Sequence, residues 1–389
     1  MRTKIIILCL VGAVLLGGVA YAKSFRVSGA IVHIRQGEFE PAITLLEEEV
    51  AAAPDNAEAW AWLGEAYASV GRFLEAADAW DRAADLYAQK NKKKEVAKID
   101  QSRMFFWDKA LKAGQTPFAR GLNFGKEGFT PEPGETAEAD LDKAAAAFVA
   151  TYRIFSAHPK TLLYLGMVYE ESARVYAGHP ADQELTVSDY DLETGAAAER
   201  QVKAGDYVND LNGKAMVTYE KAIDLKRADM EGPKWDKQPL ADYIIKAANI
   251  LLHLKEYERA LSMLDPLLAE NPNDLMLLNA KAVVLENLGR LDEAIATYKR
   301  VSEQEMPAKD KAEVFFRLGS FYLNKDYAGR DPKQAITYLE EGEKNAPEDY
   351  RIVGLLGAAY NEIGEKDKAK DYLSRVEELY EKWKANGGK

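Results

Sequence analysis

The chain has 389 residues, 47% of them hydrophobic and 29% charged, which is apolar content enough for a large core. A formal charge of −12 speaks against a nucleic-acid partner, which demands a basic face. Histidine is scarce and Cys9 is the lone cysteine, so neither a disulfide framework nor a thiolate metal site can be built.

The first 22 residues stand apart. Arg2 and Lys4 give a basic start, Ile5 to Val19 is an apolar run, and Ala20-Tyr21-Ala22 closes it with small residues around one large one. That is the build of a secretory signal peptide over 1–22, cleaved after Ala22, which makes the mature chain periplasmic or secreted with no membrane insertion. The alternative is an uncleaved anchor in the inner membrane, because the run is nearly long enough to span a bilayer. Cleavage removes Cys9, so the mature fold has to be held by packing alone.

From Ala57 to Tyr87 the pattern changes. Trp60, Leu63, Gly64 and Tyr67 fall at i, i+3, i+4 and i+7 and share one helical face. Gly71 breaks that helix, and Ala76, Trp80 and Ala83 line a second. Small residues opposite large ones are what two close-packed antiparallel helices require. The stretch resembles a tetratricopeptide repeat: Trp-x2-Leu-Gly-x2-Tyr, then Ala-x3-aromatic, then Pro, over about 34 residues. The resemblance implies an all-α fold, a solenoid of stacked helix pairs.

Taken in order, units one and two occupy 23–90, with Ala42 and Ala76 one repeat apart and Pro54 between them. A basic stretch, Asn91-Lys-Lys-Lys94, then leads into apolar residues too crowded for an exposed linker, Met104-Phe-Phe-Trp107, so 91–117 is expected to be an extra helix. A degenerate unit three follows at 118–158, with Gly121 to Gly125 as its first helix, Ala144 and Phe148 in its second, and a long turn at Thr130 to Gly134. Unit four, 159–234, opens on Leu162, Leu165, Gly166 and Tyr169 and resumes at Ala215 and Tyr219. An insertion at 178–212, read as a short hairpin or a partly ordered lobe, separates its halves. Gly232, Pro233 and Pro239 mark a further loop. Units five to eight and a polar capping helix fill 241–384, with Ala260 and Ala294 again one repeat apart. Lys281 stands where the motif has leucine, and unit three lacks the Trp/Tyr pattern.

Catalytic signatures are absent from the sequence. There is no His-Glu-x-x-His, no Gly-x-Ser-x-Gly and no phosphate-cradling loop, so neither an enzyme nor a cofactor is expected. His33 occupies the motif's tyrosine place and is expected in the core. His158 and His179 each precede a proline, and with His253 the four make no metal set. Asp189, Asp191 and Glu193 alternate like calcium ligands, but Gly195 is one place late and the bidentate glutamate is missing, so an acidic solvated turn is the expectation.

In this family the first helices line a concave surface that takes a peptide or a helix. The resemblance implies contact offsets at Ile245, Asn249 and His253; Asn279, Val283 and Asn287; Phe316, Ser320 and Asn324; and Asn361. An asparagine recurs in each of these four units, and a row of amides can hydrogen-bond a peptide backbone without reading its sequence. The reading that follows is a non-enzymatic scaffold in the bacterial cell envelope, binding other envelope proteins or peptides in that groove for assembly, secretion or export. The alternative is a periplasmic small-ligand-binding repeat protein that delivers solute to a transporter. A closed apolar pocket would favour the alternative, and an open polar groove the scaffold.

Overall fold

The computed structural model describes residues 24–126, 128–231 and 236–385. Residues 1–22, read from the sequence as a signal peptide, and Gly232 and Pro233, read as part of a loop, lie outside the described residues. The described residues form sixteen α-helices and one two-stranded sheet, divided into an N-terminal lobe up to Lys237 and a C-terminal lobe from Gln238. No described helix is long and apolar enough to cross a membrane.

In the N-terminal lobe, α1 (Phe25–Gln36) pairs with α2 (Phe39–Ala52), α3 (Ala57–Ser69) with α4 (Phe73–Gln89), α5 (Lys93–Asn123) with α6 (Ala137–Ile154), and α7 (Pro159–Tyr176) with α8 (Ala204–Glu231). In the C-terminal lobe, α9 (Leu240–His253) pairs with α10 (Tyr257–Glu270), α11 (Leu275–Asn287) with α12 (Leu291–Ser302), α13 (Ala308–Leu323) with α14 (Pro332–Asn345), and α15 (Tyr350–Glu362) with α16 (Lys366–Ala385). Within each lobe successive pairs stack as a solenoid.

One contact type recurs in several of the pairs. A glycine on the first helix accepts a large side chain from the second: Trp80 lies on Gly64, Phe148 on Gly114, Tyr219 on Gly166 and Leu373 on Gly357. A Cβ at these glycines would stand only 2.5–2.8 Å from the facing atoms, well inside contact distance. Trp80 and Tyr219 are buried to 1% and 0% exposure, and the glycine's absent methyl lets each ring lie directly against the facing helix. The tight turns between paired helices need a left-handed residue, supplied by Gly37, Gly71, Gly289 and Gly364 and, between α9 and α10, by Lys255 at φ 60°. Helix starts are capped where the sequence places Asn56, Thr136, Asp274, Asp331 and Asp349, whose side chains accept backbone N–H groups.

The third pair departs from the expected boundaries. The helix expected at 91–117 runs on to Asn123 without a break, through Pro117, and is itself the partner of α6. Gly114 takes Phe148, and Gly121, expected to open a separate helix, is a further small step on the same face, under Leu141. Its base is locked to its neighbours. The Arg103 guanidinium donates to Asp81 at 2.6 Å and to the Ile154 carbonyl at 3.2 Å, and Trp107 stacks on His158 with 3.7 Å between ring centroids.

The insertion is an antiparallel hairpin, β1 (Glu184–Tyr190) with β2 (Ala197–Lys203), in which Val187 pairs with Arg200. Residues 204–212, expected to belong to it, are the first turns of α8, where Tyr207 and Leu211 are buried. Val187, Tyr207 and Leu211 share one apolar cluster with Ala173, so the hairpin is packed against its own pair. Asp189 is bound by both Arg200 and Lys214, and Tyr190 donates to Asp142 on α6 at 3.0 Å.

Candidate functional site

Residues Glu58, Ala61, Trp62 and Glu65 recur at i, i+3, i+4 and i+7 along α3, off the face that carries Leu63 and Gly64 into the core. They line one wall of a cleft of about 1110 Å³ in the N-terminal lobe. Trp80 and Tyr87 of α4 floor it, and α5 supplies Glu95, Lys98, Ile99 and Ser102 opposite. The turn residues Asn91 and Lys92 and the first helical residues, Lys93 and Lys94, also line it. That basic stretch is therefore a rim, and in a chain of net −12 it is a local reversal of sign.

The electrostatics of the cleft are mixed by position. At the rim, Lys98 pairs with Glu95 at 3.0 Å, and the Lys92 ammonium lies 5.9 Å from the centre of the Tyr87 ring. Burial, with Glu58 and Glu95 nearby, pushes the Tyr87 hydroxyl up to about 12, so at neutral pH it is a fixed, uncharged donor and acceptor. Deeper in, burial raises the carboxyl of Glu65 above the usual range. Trp62 is half-buried and packs against the core, presenting a rigid aromatic face to the cleft.

The residues singled out from the sequence lie on first helices of the C-terminal lobe, except Asn324, which follows the last residue of one. Asn249 is half-buried on α9 and His253, the last residue of that helix, is exposed; Asn279, Asn287 and Asn361 are exposed. The polar groups of three of the seven are turned onto the local backbone. Asn287 donates to the Val283 carbonyl at 2.8 Å, and the Ser320 hydroxyl donates to Phe316 at 2.7 Å. Asn324 follows the end of α13 and accepts the Asp326 N–H at 3.0 Å. Phe316 lies beneath Arg351, whose guanidinium carbon is 4.7 Å from the ring centre.

The remaining sequence candidates are placed as follows. His33 is half-exposed and not in the core as expected, because in the last turn of α1 its Nδ1 lies 2.6 Å from the exposed Glu38 carboxylate just past the helix end. His158 caps α7 and is buried against Trp107, while His179 meets Glu138 at 3.1 Å. The three carboxylates with calcium-like spacing turn to different partners: Asp189 to Arg200 and Lys214, Asp191 to the Thr194 N–H, and Glu193 to Lys221. Among the described residues no group of three His, Cys, Asp or Glu side chains could hold a metal.

With paired helices of this geometry in place, comparison with known proteins decides the repeat type. The family described as Tetratricopeptide repeat matches residues 28–91, 245–305 and 325–382. Over those three stretches the chain carries tetratricopeptide repeats. A curated relative, Protein STIP1 homolog of Dictyostelium discoideum, is 36% identical over 96 residues, which is 24% of this chain and 17% of the relative. The chain thus spans under a fifth of that relative's length. Among solved structures, the chain is similar to YrrB, described as a TPR protein with an unusual peptide-binding site, at 19% identity and TM-score 0.35, covering 55% of this chain and 82% of that one. It is likewise similar to MamA of Desulfovibrio magneticus RS-1, at 19% identity and TM-score 0.36, covering 45% and 88%. The tetratricopeptide match covers pairs one and two and most of the C-terminal lobe. Pairs three and four, with the long α5 and the hairpin, lie outside it.

The sequence pointed to the C-terminal asparagines and passed over the N-terminal cleft. Two signals could have found it: Trp62, an aromatic off the motif positions, and the only run of three consecutive lysines, Lys92–Lys94.

Proposed function

We propose that this chain is a non-enzymatic interaction scaffold of the bacterial cell envelope that holds an extended, acidic peptide segment in the cleft between α3 and α5. The observation that carries this reading is the cleft itself: open, flanked by two first helices, walled by Trp62 and rimmed by Lys92, Lys93, Lys94 and Lys98. An aromatic anchor with a basic rim suits a partner that offers an apolar side chain beside carboxylates. The signal-like segment at 1–22 supports the envelope location, and the exposed amides of the C-terminal lobe supply a second contact surface for the same or another partner.

Peptides of graded Asp and Glu content, measured by fluorescence anisotropy, test the specificity. Acidic peptides should bind about tenfold tighter than neutral ones at low salt, and the preference should shrink as salt rises. The double variant Lys94→Glu, Lys98→Glu should abolish the preference, and Trp62→Ala should weaken every peptide. Binding that ignores peptide charge in the wild type would refute the reading. For location, N-terminal sequencing of the natural protein should begin at Lys23, and Met1 on membrane-bound protein would refute export by cleavage.

A further inference from the structure

A second cavity, sharing no lining residue with the cleft, lies between α6, α7 and the hairpin in the N-terminal lobe. Its volume is about 280 Å³, near the lower end of ligand pockets (~300–1,000 Å³), so it suits a molecule of a few heavy atoms. Four tyrosines, Tyr169, Tyr176, Tyr190 and Tyr207, line it, with Asp142 on one wall and Lys214 on another.

The charges are unevenly satisfied. Lys214 is already committed, since it binds Asp189 and lies 3.1 Å from Asp210, and Arg200 binds the same two carboxylates. Those two cations and two anions neutralise one another. Asp142 is met differently: Tyr190 donates to it at 3.0 Å, Ser188 is its other hydrogen-bond partner, and both are neutral hydroxyls. It is a half-buried carboxylate whose lost hydration is replaced by no positive charge, and its pKa is raised by that desolvation. Glu138, at the rim, is met by His179. Burial, with Glu138 and Asp142 nearby, likewise pushes the Tyr176 hydroxyl up to about 12. The interior is therefore electronegative around Asp142, and since Arg200 and Lys214 already lie 5.5 and 6.0 Å from the centre of the Tyr207 ring, Tyr169, Tyr176 and Tyr190 are the aromatic walls left for an entering cation.

We infer that this pocket binds a small organic ammonium ion, its charge set against Asp142 and its carbon groups on the tyrosine rings. A bare metal ion would find only one carboxylate not already held by a basic side chain, because Glu138 meets His179 and Asp189 meets Arg200 and Lys214. An anion would meet Asp142 with no free cation to balance it. An alkylated ammonium suits both the single negative charge and the aromatic walls. The inference is independent of the peptide reading, because either cavity can be filled while the other is empty.

Isothermal titration of the full chain with choline and with tetramethylammonium chloride, against sodium chloride of equal ionic strength, tests it. Saturable binding of one or both is expected with Kd below about 10 mM. The uncharged isostere of choline, 3,3-dimethylbutan-1-ol, should bind about tenfold or more weakly, since it keeps the shape and loses the charge. Asp142→Asn, which still accepts the Tyr190 hydroxyl, should lose about tenfold in choline affinity while its own melting temperature holds or rises. No saturation by either cation, equal affinity for choline and its uncharged isostere, or unchanged affinity in Asp142→Asn would each overturn the inference. The isostere comparison uses only wild-type protein, so it decides the matter even if the variant folds poorly.

Discussion

The glycine-to-large-residue contact makes a sharp demand at Gly166. Its absent Cβ would stand 2.5, 2.7 and 2.9 Å from three ring atoms of Tyr219. Carbon atoms in contact need about 3.5–4.0 Å, so Gly166→Ala requires the ring to retreat by about 1 Å. Tyr219 cannot swing aside: it is fully buried, and its hydroxyl donates to Glu170 at 2.9 Å. Overpacking of this kind costs about 3 kcal/mol at its upper range. Alanine returns about 1 kcal/mol through its better helix propensity, leaving a net loss of about 2 kcal/mol. Gly213, on the partner helix α8, has nothing within 4 Å of its would-be Cβ, so Gly213→Ala should gain that 1 kcal/mol with no offset. Thermal melting followed by circular dichroism separates the two. For a lobe of this size Gly166→Ala should fall by about 4–8 °C and Gly213→Ala rise by about 2–4 °C. Shifts of the same sign would refute the idea that these glycines exist to admit the facing ring.

Other tests follow from the site. The buried carboxyl of Glu65 has a folded pKa above its unfolded value of about 4.3, so its charge costs stability above the folded value and nothing below the unfolded one. Glu65→Gln should therefore raise the melting temperature at pH 7, and the gain should vanish as the pH falls to about 4; a gain independent of pH would contradict this. Replacing 184–203 with a short turn should preserve helical circular dichroism but lower the melting temperature, because Val187 and the Asp189 pairs are lost. Extending the cut to 212 removes buried Tyr207 and Leu211 and should cost much more, so equal melting of the two truncations would show the hairpin boundary to be misplaced. Asn279→Ala with Asn287→Ala should change stability by no more than about 0.5 kcal/mol, since both are exposed. If the C-terminal face holds a peptide, its affinity should drop about tenfold, and unchanged affinity would remove the amides from the contact surface.

Where the sequence was readable, the reason is local geometry. Gly64 and Trp80, or Gly357 and Leu373, are close in sequence, and the small–large match shows as a fixed offset within a single repeat. The third pair escaped because its true glycine, Gly114, sits inside a 31-residue helix with Pro117 where the motif has tyrosine. Nothing local marks Gly114 over Gly121, and only the distant Phe148 distinguishes them. The hairpin was half-legible: its strands alternate, but its end was not, because the helical turns of 204–212 carry no cap that announces a start. The tyrosine pocket was not legible at all. Asp142, Tyr169, Tyr190 and Tyr207 come from four elements, and no sequence spacing connects them. Asparagine, in turn, proved ambiguous, because Asn287 and Asn324 serve helix ends as well as exposed faces.

The insertion also sets an order in time. Gly64 and Trp80 must close a loop of about 16 residues to meet, whereas Gly166 and Tyr219 must close one of about 53, at an extra entropic cost of about 1 kcal/mol. If that cost falls on the rate-limiting step, closure of the fourth pair slows by about fivefold unless the hairpin forms first and shortens the effective loop. A two-stranded hairpin of this size assembles in about 1–10 μs, well before a domain of this length is folded. Formed early, it brings the end of α7 and the start of α8 together and turns a distant encounter into a neighbouring one. The segment that interrupts the repeat is then also the one that lets the repeat close.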